Sequence, residues 1–355
     1  MKVLSIPYTS NNPYQDNLAA SLEKLGVTTV TDIRFNARRL SVIRKIFCRK
    51  DIQIVHYHWL DPFIRGKNIP VLIANNIIFL LEIAVIRLLG KRIIWTVHNL
   101  VPHDVSHEKI LVFSTRLFTK FTDAIIAHTD RSGKLVMENP GVDESKIRVI
   151  PHGNYIDNYE NSVTRDQARK KLGLAEEVFL LLFIGRLRPY KGLERLIDSM
   201  GQMADRNIHL LVTGFTTDDR YAESMQEKVS GKPNITLHVG FIPKDEIQYY
   251  LNAADIVVLP YTDILTSGSA CLAMSFGKPV IAPDMGELTE IINDKGGILY
   301  EPADPGALIN AIKQAEEADL QAMGAYNLAR AKSIDWDTIA EATKSVYQSC
   351  LNSTN

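Results

Sequence analysis

Three cations, Arg186, Arg188 and Lys191, fall within six residues of one another, directly after a glycine that closes an apolar run. Cations so close together suit an anion, and two of them side by side suit a diphosphate better than a single carboxylate. The flanking sequence predicts the scaffold. Val178–Ile184 is uninterruptedly apolar, as in a strand buried on both faces, and Gly185 ends it. From Gly192 an amphipathic helix places Leu193, Leu196, Ile197 and Met200 on one face. The free N–H groups and dipole at that helix start also favour negative charge. Taken alone, the stretch reads equally as a basic loop on an α/β protein.

A second stretch, Asp255–Glu290, repeats the pattern. Ile256–Leu259 predicts a short buried strand, and Thr266, Ser267, Gly268 and Ser269 can offer hydroxyls and N–H groups at the start of a helix over Ala270–Phe276. Gly277-Lys278-Pro279 ends that helix before the strand that starts at Val280. Two strand-to-helix turns are thus available to grip one polyanion.

The segments GRLRPYKGLERLI, AADIVVLPY, FGKPVIAP and MGELTEII, in this order, resemble the donor domain of GT-B glycosyltransferases, those of family 4 especially, and the likeness extends over nearly the whole chain. The resemblance implies an α/β fold of two Rossmann-like domains facing a cleft, with a C-terminal helix crossing back to the N-terminal domain. It implies that Arg186 and Lys191 hold the diphosphate of a nucleotide sugar, with Gly185 and Thr266–Ser269 around it. Phe241 and Ile242 fall where the nucleotide base packs in this family. One departure stands out. The family carries two glutamates flanking the second turn, and those positions here hold Ile264 and Leu272. The nearest acids, Asp263, Glu287 and Glu290, are the candidate replacements for binding sugar and ribose hydroxyls.

Length and charge set the wider frame. A chain of 355 residues with 46% hydrophobic and 23% charged residues suits two soluble domains. The boundaries are expected at 1–165 with a crossover helix in 336–355, and at 166–335. The net charge of −1 conceals an asymmetry: 22 Lys/Arg against 15 Asp/Glu through Arg165, then 18 against 26. A basic half points to an anionic partner. Cys48, Cys271 and Cys350 lie far apart with no metal spacing, which fits a reducing cytoplasm. The first residues run straight into a predicted strand, so no signal peptide is expected.

In the first half, the turn after the opening strand offers Asn12 and Tyr14, either as acceptor contacts or as a helix cap. The strand Ile52–Tyr57 delivers His56, His58, Trp59 and Asp61 to the edge where open α/β sheets bind ligands. His56 and His58 could alternatively be a metal pair, although the family needs none there. His98 ends the strand Arg92–Val97, and the resemblance places it near the donor sugar; His103 follows as an acceptor candidate.

Arg34–Lys50 interleaves seven basic residues with apolar ones. As a helix it would be either a face for anionic headgroups or a solvated helix with an apolar underside. No stacking set or recognition module supports nucleic acid. Ile69–Leu89 has the length of a membrane span, but Asn75, Asn76, Glu82 and Arg87 argue instead for a core helix or one partly inserted into a leaflet.

The resulting expectation is a hexosyltransferase, catalytic through His98, Arg186 and Lys191. It would use a UDP- or GDP-sugar with retention and without metal or cofactor. Its acceptor would be a saccharide or a polyprenyl-linked one, met at the anionic inner face of a membrane. An epimerase of nucleotide sugars and a non-catalytic scaffold are the alternatives.

Overall fold

The computed structural model describes residues 1–9, 12–31, 40–100, 107–138 and 142–353. They separate into two compact units, residues 1–153 with 334–355 and residues 154–333. Each is built on a six-stranded sheet in which every pairing is parallel.

The first sheet comprises β1 (Lys2–Ile6), β2 (Thr28–Val30), β3 (Ile54–Tyr57), β4 (Arg92–Thr96), β5 (Ala124–Ala127) and β6 (Ile147–Val149), in the order β2-β1-β3-β4-β5-β6. Its connecting helices are α1 (Pro13–Lys24), α2 (Ser41–Cys48), α3 (Asp61–Ile64), α4 (Ile69–Leu88), α5 (Glu108–Phe121) and α6 (Asp130–Met137). Strand alternation sends Ile54 to one face and Tyr57 to the other. On the first face, Leu18 and Leu22 of α1 form a core with Ile339, Val346 and Tyr347 from the closing helix Trp336–Asn352. On the second, Tyr57 meets Phe63, Phe79 and Phe118 edge-on, joining the sheet to α3, α4 and α5.

In the second unit, β7 (Phe179–Ile184), β8 (Ile208–Gly214), β9 (Ile235–Val239), β10 (Ile256–Val258), β11 (Val280–Pro283) and β12 (Gly297–Tyr300) run in the order β12-β11-β10-β7-β8-β9. The helices are α7 (Arg165–Leu172), α8 (Leu193–Gly201), α9 (Asp219–Val229), α10 (Ile247–Ala253), α11 (Gly268–Ser275), α12 (Leu288–Ile291), α13 (Ala307–Glu317) and α14 (Leu320–Ser333); the helix Trp336–Asn352 is α15. Leu196, Ile197 and Ile312 pack with Leu181 and Phe183 on one face, and Leu251, Ala273 and Met274 with Leu180 and Leu182 on the other.

Three expectations change. Gly192 does not begin α8; a 3-10 turn over Pro189–Lys191 intervenes, and Gly192 caps the helix with φ +68°. Any side chain there would drive a Cβ to 1.9 Å from the Pro260 carbonyl oxygen. The segment Arg34–Lys50 is helical only over Ser41–Cys48, and its residues 34–39 lie outside the described ones. The helix Ile69–Leu88 is not wholly a core helix, because Ile69, Ile73, Ile77, Leu81 and Leu88 are exposed.

Arg169 of α7 is fully buried and ties the second unit together. Its guanidinium donates to the Ala253 carbonyl at 3.0 Å and the Val178 carbonyl at 2.9 Å, and pairs with Asp255 at 2.7 Å. Asp255 in turn accepts from the Leu180 N–H at 2.7 Å, holding β10 beside β7. Removing the guanidinium leaves the Ala253, Glu176 and Val178 carbonyls without this donor, although Asp255 keeps Arg165 at 3.1 Å, for a summed cost of about 3–5 kcal/mol. Arg169→Ala is expected to lower stability by that amount in urea unfolding, and a loss below about 1 kcal/mol would contradict this role.

Candidate functional site

In the second unit the two strand-to-helix turns meet. Gly185 leaves β7 with φ +138°, and an added Cβ would lie 2.9 Å from Ser269 Oγ. Ser269 Oγ donates to the Ile184 carbonyl at 3.1 Å, so α11 is fastened to the end of β7. Ser267 caps α11 by accepting from the Ala270 N–H at 3.2 Å, and its hydroxyl also meets the Tyr261 hydroxyl at 2.9 Å. Thr266 Oγ1 is buried with no hydrogen-bond partner among the described residues.

Lys191 is the centre of this arrangement. It is only 9% exposed, and its ammonium sits 3.9 Å from the centroid of the Tyr261 ring and 5.3 Å from that of Tyr190. No described carboxylate forms an ion pair with it. Aromatic faces offset part of the desolvation of a cation but leave its charge uncancelled. Arg186 is exposed, with its guanidinium 5.1 Å from the Phe215 ring centroid. Partial desolvation, followed by the neighbouring Arg188, lowers its pKa. Phe215 lies edge-on to Phe241, 69% exposed, at 6.5 Å. Ile242 packs into the apolar cluster behind.

Ile264 and Leu272, at the positions of the family's glutamates, are packed in that same cluster. Glu287 is fully buried, and its N–H donates to the Leu265 carbonyl at 3.0 Å, which seats this acid beside the second turn. After burial itself, its charge helps push the Cys271 thiol up to about 12. Asp263 is exposed, and the Glu290 carbonyl accepts from Arg330 at 2.7 Å.

In the first unit the strand ends converge on Tyr14. Its ring lies 4.9 Å from both His98 and His152, and 5.6 Å from His128. His58 Nδ1 is 3.4 Å from His98 Nε2, and Trp59 stacks on His98 at 4.6 Å. Trp59 and Asp61 line a pocket with His58 and Asn99, and Asp61 pairs with Arg65 at 3.5 Å. Asn12 caps α1, accepting from the Tyr14 N–H at 3.0 Å. Both ring nitrogens of His56 meet hydroxyls at 2.7 Å, those of Tyr347 and Thr96. No cluster of three or more metal-ligating side chains occurs among the described residues. His103 lies outside them.

Sequence reading missed His128, although the signal was there: it follows β5 as His98 follows β4 and His58 follows β3. Burial lowers the pKa of His56 and His128 to about 3 and that of His152 to about 4. Burial, then the other histidines, holds His58 and His98 well below the ordinary value.

This fold matches solved GT-B glycosyltransferases. Sucrose-phosphate synthase from Thermosynechococcus elongatus superposes with a TM-score of 0.78 at 18% identity, covering 99% of each chain. Anabaena HepE, solved with UDP, gives 0.73 at 17% identity over 98% of this chain and 100% of its own. The profile described as "Glycosyl transferases group 1" matches residues 164–330, and that of "Glycosyltransferase Family 4" matches residues 13–155. The chain belongs to the GT-B glycosyltransferases of this group 1 and family 4 type. Among curated relatives, a D-inositol 3-phosphate glycosyltransferase of Streptomyces scabiei is 26% identical over 266 residues. That match covers 71% of this chain and 60% of the relative's length. A GDP-mannose:glycolipid 4-beta-D-mannosyltransferase of Xanthomonas campestris pv. campestris is 24% identical over 310 residues, 86% of this chain and 80% of its own.

The histidine cluster has a measurable consequence. Lowered folded-state pKa values mean that the unfolded chain binds protons first as pH falls. Stability is therefore fully present above about pH 6.5 and is lost as pH drops toward the folded values. Each such histidine costs about 2 kcal/mol at pH 5. Urea unfolding is expected to show the first unit weakening by several kcal/mol between about pH 7 and 5. A flat profile would mean that the rings are solvated or paired with acids.

Proposed function

We propose that the protein transfers a hexosyl group from a UDP- or GDP-sugar to a saccharide or lipid-linked acceptor, in the synthesis of a cell-surface polysaccharide. The observation that carries this is Lys191, a largely buried cation with aromatic neighbours and no ion-paired carboxylate among the described residues, set where the two strand-to-helix turns meet. Breaking the anomeric bond builds charge on the leaving diphosphate. Cations already in place stabilise that state more than the ground state, because they need not reorganise. Lys191 and Arg186 supply the charge, Thr266 supplies a hydroxyl, and the N-terminus of α11, including the Ser269 backbone, supplies N–H groups. The exposed Phe241 offers a face for the base. His98, held neutral, can hydrogen-bond a sugar hydroxyl without adding charge to the site.

The reading takes transfer to occur with retention along one face of the sugar, without a protein nucleophile, as the likeness to the family implies; Ile264 and Leu272, standing where the family has glutamates, supply none of that pair's contacts. The buried Glu287 is the acid assigned to sugar or ribose hydroxyls. Neutralisation by protein cations leaves no role for a divalent metal at the diphosphate. The Xanthomonas relative's name, with its nucleotide-sugar donor and glycolipid acceptor, supports a lipid-linked acceptor for this chain. Such an acceptor places the reaction at the cytoplasmic membrane face.

Lys191→Ala and Arg186→Ala are each expected to lower turnover by about 100-fold or more, with unfolding temperatures close to the parent's. Near-normal turnover in both would remove the diphosphate assignment. Activity is also expected to survive EDTA. A complete loss restored by Mg²⁺ or Mn²⁺ would assign the leaving-group charge to a metal instead.

A further inference from the structure

The helices α2, α4 and α5 lie side by side, α4 packing against both neighbours. The inner side of α4, with Phe79, Ile83 and Ile86, is in the core. Its outer side is apolar as well. Ile69, Ile73, Ile77 and Leu81 recur at every fourth position, so they form one stripe along the helix. Leu81 is 61% exposed, and Leu88, at the helix end, is 85% exposed. The flanking helices add Phe47 of α2 at 56% and Phe113 of α5 at 59%. A water-facing helix normally turns charge outward, and an apolar patch spread over three helices marks a contact surface.

The rim of this patch is basic. Arg44, Arg49 and Lys50 are exposed on and just after α2, and Lys109, Arg116 and Lys120 on α5. Among the described side chains of these helices the only acid is Glu82, which is buried and accepts from the Ile43 N–H at 3.1 Å. Just outside them, Asp51 is paired with Lys2, and Asp123 with Arg87 and Arg92.

We infer that this face docks on an anionic lipid bilayer. The α4 stripe, Phe47 and Phe113 would enter the boundary between headgroups and acyl chains, and the flanking cations would meet lipid phosphates. A bilayer supplies the two things this surface lacks, an apolar phase and negative charge beside it. A second copy of the chain supplies neither well, since a two-fold interface would press the same basic rim against itself. The helix lies in the membrane plane rather than spanning it. Phe79 is held by Tyr57 and Phe118 at ring distances of 5.9 and 5.4 Å, which spanning would break. This deepens the lipid-linked acceptor reading by naming the surface that meets lipid, and it can fail while the diphosphate reading stands.

The test is flotation of the full chain with phosphatidylcholine vesicles, with and without phosphatidylglycerol. Binding to the anionic vesicles is expected at low salt, at least about 10-fold above binding to neutral ones, and largely lost at ~0.5 M salt. Ile77→Asn with Leu81→Gln, and separately Arg44→Gln with Arg116→Gln and Lys120→Gln, are each expected to lower vesicle binding by about 10-fold or more. Melting temperature and transfer to a water-soluble acceptor analogue should not change. Absent binding, equal binding to neutral vesicles, or binding indifferent to the α4 changes would overturn the inference. So would a dimer that is abolished by the Leu81 change in a protein that ignores vesicles.

Discussion

A largely buried lysine with no ion-pair partner among the described residues is the constraint on which the second unit is arranged. Desolvating Lys191 is costly, and the Tyr261 face at 3.9 Å offsets only part of that cost. Its surroundings fix it there. Gly192 adopts a left-handed conformation, and Pro260 approaches too closely for any side chain there, so both the turn and the contact require glycine. The Thr262 N–H donates to the Tyr190 carbonyl at 2.9 Å, clamping the first turn to the second. Tyr261 meets Ser267, and Ser267 caps α11. One cation is therefore mechanically linked to both turns. Under the proposed function, the charge left over is what the donor's diphosphate would meet.

The first unit solves a different problem with the same economy of parts. Five histidines at or near strand ends, four of them in ring contact with Tyr14, are kept neutral by burial, which gives this face hydrogen-bonding capacity but little charge. Its floor depends on α15, since His56 is held by Tyr347 from the far end of the chain, and Trp336 packs on Tyr14 at 5.3 Å. The closing helix thus stabilises the sheet and also positions the residues at its edge.

Much of this could be read from the chain. Buried parallel strands are apolar runs, so β7, β10 and β11 stood out, and the turns after them announced themselves through glycine, hydroxyls and cations. What was hidden was hidden for physical reasons. Helix α14 buries Gly324, Asn327 and Ala331, which make no apolar stripe. The 3-10 turn before Gly192 has no periodicity long enough to detect. The apolar stretch of α4 was visible, but its two-sided character required knowing which neighbours cover it. His128 carried the same strand-end signal as His98, and the pairing of β4 with β5 explains why the two rings meet. Glu287 looked like one acid among three until the Leu265 backbone contact placed it beside the second turn.

The central claim is that Lys191 anchors the diphosphate of the donor, and calorimetry of nucleotide binding tests it most directly. UDP or GDP should bind the parent protein and the matching nucleoside only weakly, with a gap of at least about 100-fold, as charge-assisted contacts to the diphosphate require. Lys191→Met, which keeps the bulk against Tyr261, should erase most of that gap without unfolding the protein. If the nucleoside binds as tightly as the diphosphate, or if the Met variant keeps the gap, the anion site lies elsewhere and the account fails.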